Sequence, residues 1–367
     1  MQFMCSLEDL VGAVSNVQRA VAAKSTIPAL EGILVRATSS AVYLAGYDME
    51  LGITTTIPAV VKETGEIVLS SRLFGDIVRK MPGEKVVLAT DTKGNTIIKS
   101  DVTSFTITGI SSEDFPELPK VDDGAGFTVS QQIIKSMIRQ TIFAVAQPND
   151  PRPIYSGTKF ELANGILKLI SVDGFRLAIR SEAVNIGDDM QFVVPGKCLQ
   201  ELLKLMDDDD EPVSFAVGRR HLVVSVKGYA VISRLLDGEF MDYEKTLKNE
   251  VTTTVYANTR ALMHAVDRAS LVINDRMKSP LVCDFADDTI KISCSTPLGS
   301  ASDIVDVKIH GDAEHMGFNS RFLLDALKNS ETDEIRIELG GPLSPIKILP
   351  AEGDAFLFLV LPVRLKK

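Results

Sequence analysis

Cysteine is scarce and scattered: Cys5, Cys198, Cys283 and Cys294 stand far apart, with no CxxC pair. That spacing suggests neither a zinc site nor a disulfide framework, and the four read as buried thiols. Histidine is equally thin. His221, His264, His310 and His315 are isolated from cysteine and from one another at ligand spacing, so no metal is expected and no cofactor is implied. The common phosphate cradles GxxxxGK[ST] and GxGxxG and the nucleophile elbow GxSxG are missing, which leaves an enzyme reading without support. No stretch approaches the ~18 uninterrupted apolar residues of a spanning helix, and Met1–Cys5 lacks the basic start and apolar run of a signal peptide. The expectation is a cytoplasmic protein without membrane contact. Basic charge is also short: 39 Lys and Arg against 49 Asp and Glu give −10, which argues at first sight against nucleic acid.

What is present is a soluble composition, 45% apolar and 24% charged, on 367 residues, a length that suits two or three domains. A pattern then recurs three times. Ser71-Arg72-Leu73-Phe74-Gly75-Asp76-Ile77-Val78-Arg79-Lys80 resembles Gly196-Lys197-Cys198-Leu199-Gln200-Glu201-Leu202-Leu203-Lys204 and Ser320-Arg321-Phe322-Leu323-Leu324-Asp325-Ala326-Leu327-Lys328. Each has a small residue, a cation, an apolar pair, an acid, another apolar pair and a closing cation. Each follows a β-rich run (66–69, 191–194, 315–318) and precedes another (85–89, 212–217, 334–339). The spacing is that of a whole domain rather than a solenoid repeat. A second helix repeats at 6–21, 130–145 and 258–273, each opening on an N-cap residue and carrying apolar positions at helical intervals. Hairpins follow at 32–46, 157–171 and 281–293, with polar turns Ser39-Ser40, Asn164-Gly165 and Asp287-Asp288.

The expected fold is α+β: three repeated domains, each with two helices packed on antiparallel sheets of about eight strands in all. Limits fall at 1–122, 127–246 and 250–367, where Pro, Gly and charge break the periodicity. Repeats that meet head to tail must close into a ring or grow as a filament.

The repeated helices answer the charge objection. They carry twelve cations (Arg19, Arg72, Arg79, Lys80, Lys135, Arg139, Lys197, Lys204, Arg260, Arg268, Arg321 and Lys328) against six acids, a surplus of +6, so the rest of the chain totals −16. One basic surface on an acidic body can attract phosphate there and repel it elsewhere. The plain alternative is a solvated helix face. Base readout is not expected, because the helices lack a cluster of Asn, Gln and Arg and an aromatic row.

Six segments then carry a resemblance: Ser25-Thr26-Ile27-Pro28-Ala29-Leu30, Gly46-Tyr47-Asp48-Met49-Glu50, Glu113-Asp114-Phe115-Pro116, Ser171-Val172-Asp173-Gly174-Phe175-Arg176-Leu177-Ala178, Leu236-Asp237-Gly238-Glu239-Phe240-Met241-Asp242-Tyr243 and Leu361-Pro362-Val363-Arg364-Leu365. In this order and over the full chain they resemble the bacterial DNA polymerase III beta subunits, the sliding-clamp family. The resemblance implies three domains of the DNA-clamp type. It also implies a head-to-tail homodimer forming a ring around double-stranded DNA without sequence preference, with helices facing the hole.

It further implies a pocket for short linear peptides of the replicative polymerase, the clamp loader and repair proteins. The matching positions are Tyr155, Val172, Gly174, Phe175, Arg176, Leu177, Met241, Lys245, Thr246, Val360, Leu361, Pro362, Val363, Arg364 and Leu365. Phe175, Met241 and Lys245 depart from the common His, Pro and Arg, which puts peptide preference in question. For Phe175 and Met241 core packing is the plain alternative, and for Arg176 and Arg364 a surface ion pair. DNA contact is implied for Lys24, Arg72, Arg79 and Asn149, with Gln147, Arg152 and Lys197 nearby. A dimer seam is implied for Leu73, Phe74, Ile77 and Phe105 against Leu271 and Val272; apolar pairs of this kind fit a domain core equally well.

The run Asp207-Asp208-Asp209-Asp210-Glu211 lacks the spaced ligands and glycine of a calcium loop and reads as a solvated turn. Asp48 and Asp173 recur at equivalent positions but in different domains, so they make no carboxylate pair. Lys366 and Lys367 read as a frayed end. The rival readings are a clamp-fold peptide scaffold that does not encircle DNA and an enzyme with a site between repeats.

Overall fold

The computed structural model describes residues 1–121, 125–184, 188–273 and 279–365. The expected limit at 122 and the terminal lysines lie outside them. In the first repeat β1 (Gln2–Ser6) leads into α1 (Leu7–Val17), followed by β2 (Gly32–Ala37), β3 (Ala41–Tyr47), β4 (Leu51–Pro58), β5 (Val60–Glu63), β6 (Gly65–Ser70), α2 (Ser71–Lys80), β7 (Lys85–Thr90), β8 (Asn95–Ser100) and β9 (Thr103–Thr108). The second runs β10 (Ala125–Ser130), α3 (Gln131–Ile142), β11 (Gly157–Ala163), β12 (Ile166–Val172), β13 (Arg176–Ala183), β14 (Met190–Pro195), α4 (Gly196–Leu205), β15 (Pro212–Val217), β16 (His221–Val226) and β17 (Tyr229–Arg234). After a short α5 (Glu244–Leu247) the third runs β18 (Thr253–Asn258), α6 (Thr259–Ser270), β19 (Leu281–Ala286), β20 (Thr289–Thr296), β21 (Gly299–Asp306), β22 (Lys308–Gly311), β23 (Glu314–Phe318), α7 (Ser320–Lys328), β24 (Glu334–Leu339), β25 (Ile346–Pro350) and β26 (Phe356–Val360). Three clamp-type repeats of helix and antiparallel sheet are thus laid out in order.

Local chemistry explains the starts and turns. Ser6 and Asn258 cap α1 and α6 by accepting from the amides of Asp9 (3.3 Å) and Ala261 (2.9 Å). Asn164-Gly165 and Asp287-Asp288 both take positive φ at their two central positions, the geometry a two-residue hairpin needs to follow the strand twist. The helix ends correct the sequence reading. The first helices of the repeats stop three or four residues early, because the last turns tighten into i→i+3 bonds: Val21 N to Gln18 O, Ala144 N to Thr141 O and Leu271 N to Arg268 O. Arg19 therefore sits on a 3₁₀ turn rather than on α1.

The chain divides into two compact units, 1–132 with 197–235, and 133–196 with 236–367. The first unit holds a five-stranded sheet, β5-β1-β7-β8-β9, and an eight-stranded sheet, β10-β15-β16-β17-β4-β3-β2-β6. The second holds a nine-stranded sheet, β14-β11-β12-β13-β26-β25-β24-β18-β22, and a four-stranded sheet, β21-β20-β19-β23. Each large sheet joins two repeats. In one, β17 lies beside β4 with Ser233 opposite Leu51; in the other, β26 lies beside β13 with Val360 opposite Arg176. The strands equivalent to these joints, β9 and β21, end the two small sheets with one side unpaired among the described residues.

Phe3, Leu10, Leu44, Leu69 and Phe74 are fully buried in the first unit, and Leu281, Phe318 and Phe358 in the second. Each such side chain contributes about 1.5–3 kcal/mol by leaving water. Of the thiols, burial pushes Cys5, Cys198 and Cys283 up to about 12.

Candidate functional site

The pocket residues named from the sequence converge in the second unit around the turn from β12 to β13. Gly174 takes φ +90 there, a conformation side chains disfavour, and the turn is pinned by Asp173. One oxygen of Asp173 accepts from the amides of Phe175 (2.9 Å) and Arg176 (3.1 Å), and the other from Arg176 Nε at 2.9 Å. Asp48 does the same for Glu50 and Leu51 in the first repeat, so the recurring aspartates share a turn role.

Arg176 is only 8% exposed. Its Nη1 donates to Asp325 of α7 at 2.5 Å, and its guanidinium stands 4.6 Å from the Phe322 ring and 5.5 Å from that of Phe143. Both charge and faces are engaged within the protein, so the surface ion pair weighed from sequence is a buried one. Arg364, by contrast, is exposed.

Beneath the turn Ile170, Val172, Leu177, Ile179, Tyr243 and Leu359 form a small apolar cluster. Tyr155, Phe240, Met241 and Leu361 cover it while remaining partly open. Tyr155 and Phe240 meet edge to face at 5.5 Å. Burial, followed by the neighbouring Glu161 carboxylate, holds the Tyr243 phenol well above its ordinary range.

The carboxyl end forms the remaining wall. Leu361 N donates to Phe175 O at 2.9 Å and Val363 N to Gly317 O at 2.7 Å, while Leu365 packs where a Cβ on Gly317 would stand 2.5 Å from its Cδ2. Pro362 is half-buried, and buried Val360 lies in β26. Phe175 is 60% exposed and stacks on Phe322 at 6.1 Å, an apolar shelf rather than core. Lys245, far out in solvent, pairs with Asp242 at 2.9 Å, and the Thr246 hydroxyl donates to Tyr243 O. Phe143, Phe240, Tyr243, Phe322 and Asp325 escaped the sequence reading as site residues. Phe240 and Tyr243 stood in a quoted motif and Phe322 and Asp325 in the third copy of the repeated helix pattern; Phe143 had no signal.

The first repeat has a counterpart of this cluster. Phe115 and Leu118, which correspond to Phe240 and Tyr243, pack with Leu30 and Tyr47. Leu118 leaves no room for a larger residue at Gly52, where a Cβ would lie 2.7 Å from its Cδ2. Leu30, equivalent to Tyr155, is fully buried.

Among the residues read as DNA contacts, Lys24, Gln147 and Asn149 are exposed. Arg72 is exposed and makes no ion pair among the described residues. Arg79 donates to Asp76 (2.9 Å) and Gln18 (3.2 Å), and Lys197 pairs with Asp48. Arg152 is exposed, pairs with Asp150, lies 4.6 Å from the Tyr155 ring and abuts Gly174, beside the residues read as the pocket. Several helix cations are locally neutralised: Arg139 by Glu331, Lys204 by Glu201 and Arg268 by Asp303. Arg19 Nε faces Glu201 at 3.3 Å without hydrogen-bond alignment. The surplus of +6 is therefore an upper bound on what the helices present.

Of the seam residues, Leu73, Phe105 and Leu271 are exposed, Leu271 by 81%, and Val272 is partly buried against the third repeat's core. Phe74 and Ile77 are a correction. They point into the chain's own core, at 0% and 5% exposure, and are not open to a partner.

Three family models match in succession: the N-terminal, central and C-terminal domains of the DNA polymerase III beta subunit, over residues 1–119, 128–242 and 245–364. The beta sliding clamp of Bacillus subtilis (strain 168) is 31% identical over 377 residues, covering 99% of this chain and 100% of that protein. That of Staphylococcus aureus (strain Mu50) is 30% identical, with 99% of each chain covered. Among solved structures, a putative DNA polymerase III beta subunit from Eubacterium rectale is 34% identical with TM-score 0.95, and the Bacillus subtilis clamp 30% with TM-score 0.97. A Pseudomonas aeruginosa sliding clamp bound to griselimycin is 27% identical with TM-score 0.94. All three structures are covered completely, as is this chain.

Proposed function

Because the chain belongs to the DNA polymerase III beta subunit family, we propose that it works as a DNA sliding clamp: a non-catalytic, cytoplasmic ring of two copies that encloses duplex DNA and tethers the replicative polymerase, the clamp loader and repair proteins by their short peptides. The domain limits at 1–122, 127–246 and 250–367 belong to the same proposal.

The observation that carries the ring is the pair of unpaired strands. Two of three equivalent joints are made inside the chain, β17 on β4 and β26 on β13. The third would be β9 of one copy on β21 of the other. Carrying over the register of the two internal joints sets Ile107 opposite Gly299 and Phe105 opposite Ala301 of the second copy. A head-to-tail contact of this kind made twice closes the assembly. Exposed Leu73 and Leu271 then have apolar surface to meet.

Retention needs no tight grip on DNA. Cations such as Lys24 and Arg72 meeting phosphate across water would give weak, salt-sensitive contact, and enclosure would do the rest. The apolar cluster under Tyr155 and Met241, with Phe175 beside it, suits a peptide that buries one or two apolar side chains.

The test is topological. Loaded with a clamp loader and ATP, the protein should stay on nicked circular DNA and leave once the circle is cut. Equal loss from circle and line would leave the scaffold that does not encircle DNA.

A further inference from the structure

The joint of β17 with β4 repeats that of β26 with β13 residue by residue. Arg234 N donates to Glu50 O at 2.9 Å where Leu361 N donates to Phe175 O, and Met49, at φ +76, stands in the place of Gly174. The second joint carries the apolar residues read as the peptide pocket. The first is built differently: Leu30 and Phe115 of its own cluster are buried, and its rim is charged.

That charge comes from Arg219, Arg220 and Arg234. The first two occupy the turn from β15 to β16, closed by Gly218 N on His221 O at 2.9 Å. Arg234 ends β17 directly opposite His221, and the next amide, of Leu235, donates to Arg220 O at 2.9 Å. Main-chain bonds thus gather the three arginines on one corner of the first unit. All three are exposed, and none makes a side-chain hydrogen bond or ion pair among the described residues. The acids nearest in the chain do not answer them. Asp48 is taken by Lys197 and by the amides of its own turn, and Glu50 pairs with no cation among the described residues. Desolvation, followed by Arg234 and Arg220, holds the His221 imidazole below its ordinary range, as cations gathered without a closer acid would. The counterpart turn of the second unit, 340–345, holds no cation at all.

Met49 adds an independent feature to the same corner. It is a non-glycine residue held at positive φ, and its apolar side chain is 48% exposed beside Glu50. Both circumstances cost free energy, and such features gather at functional surfaces.

We propose that this corner docks an acidic segment of a partner protein, with carboxylates on Arg219, Arg220 and Arg234 and an adjacent apolar side chain on Met49. Charge complementarity selects the occupant: on a chain of net charge −10, three unpaired guanidiniums are a local excess that carboxylates can neutralise in pairs of parallel bonds. Duplex phosphate is the rival polyanion, and two observations disfavour it. The helix cations Arg79, Lys197 and Lys204 are each held by an acid, as light contact with DNA requires, whereas these arginines stand on strand ends and are held by none. A hydrated sugar-phosphate backbone would also leave Met49 nothing to bury against. The comparison of the two joints rests on the pocket reading proposed above; the docking corner does not, and it uses neither strand of the proposed seam.

The test uses the full-length protein and two fluorescent acetylated pentapeptides, one with two aspartates on each side of a leucine, the other with asparagines in their place. The aspartate peptide should bind by anisotropy and the asparagine peptide at least ten-fold more weakly. Arg219→Gln with Arg220→Gln should weaken the aspartate peptide at least ten-fold, and Met49→Gly at least three-fold, with melting temperatures unchanged or raised. The chain ending at Val360 should bind that peptide as the full chain does, which separates this corner from the pocket. Absence of binding, equal binding of the two peptides, unchanged binding in either folded variant, or loss of binding in the chain ending at Val360 would each overturn the proposal. Affinity for a linear duplex should change less than two-fold in the double glutamine variant; a fall as large as that for the peptide would give the corner to phosphate and overturn it too. Retention of the wild type on circular DNA is read separately and tests only the clamp.

Discussion

Arg176 joins parts of the chain that lie far apart in sequence: the β12–β13 turn through Asp173, α7 through Asp325 and Phe322, and the end of α3 through Phe143. Removing it would strand two carboxylates, 14% and 28% exposed, and withdraw the cation from both rings. The expected cost for Arg176→Ala is about 3 kcal/mol, the usual order for breaking a buried pair from one side. Peptide affinity should fall too, because the turn carrying Gly174 and Phe175 loses its anchor. Calorimetry and peptide titration check both; an unshifted melting temperature would show that the pair contributes nothing net. The sequence marked Arg176 as important only through resemblance. Its partners were not legible, since nothing local in the segment around it points to Asp325. The neighbours of Arg152 were not legible for the same reason: Gly174 and Tyr155 stand beside it, and pattern alone does not bring them together.

At the level of elements, repetition made most of the fold readable. The hairpins at Asn164-Gly165 and Asp287-Asp288 and the strands around α2, α4 and α7 lie where turn chemistry and periodicity put them. Helix ends were less legible, because a 3₁₀ closing turn has no composition of its own. Phe74 and Ile77 were misread because a helix that is apolar on one side does not announce whether that side meets its own sheet or a second copy. The carboxyl-terminal segment after β26 is held by two main-chain bonds and by the packing of Leu365 on Gly317. A chain ending at Val360 keeps the β26–β13 joint and should retain its mass in solution while losing stimulation of the polymerase. Normal processive synthesis by that truncation would refute the pocket's third wall.

At the scale of the whole molecule, an acidic total coexists with basic helices, and the ion pairs of Arg139, Lys204 and Arg268 moderate that contrast. Such moderation is compatible with a protein that must touch DNA without holding it. Assembly offers the sharper test. Leu271→Glu places a charge on a side chain that is 81% exposed in the single chain, so folding should change by no more than about 0.5 kcal/mol. The mass in solution should drop to 39.9 kDa from twice that value, and retention on circular DNA should disappear. A variant that keeps the doubled mass would move the seam elsewhere.

Phe115 and Leu30 are buried in the first repeat where their counterparts Phe240 and Tyr155 stay partly open in the second. A closed circlet of two chains would thus offer such a berth in its two second repeats and none in its two first repeats. Enzymes queuing for the same stretch of DNA would have to take turns, and who works next would be decided by competition for a scarce mooring.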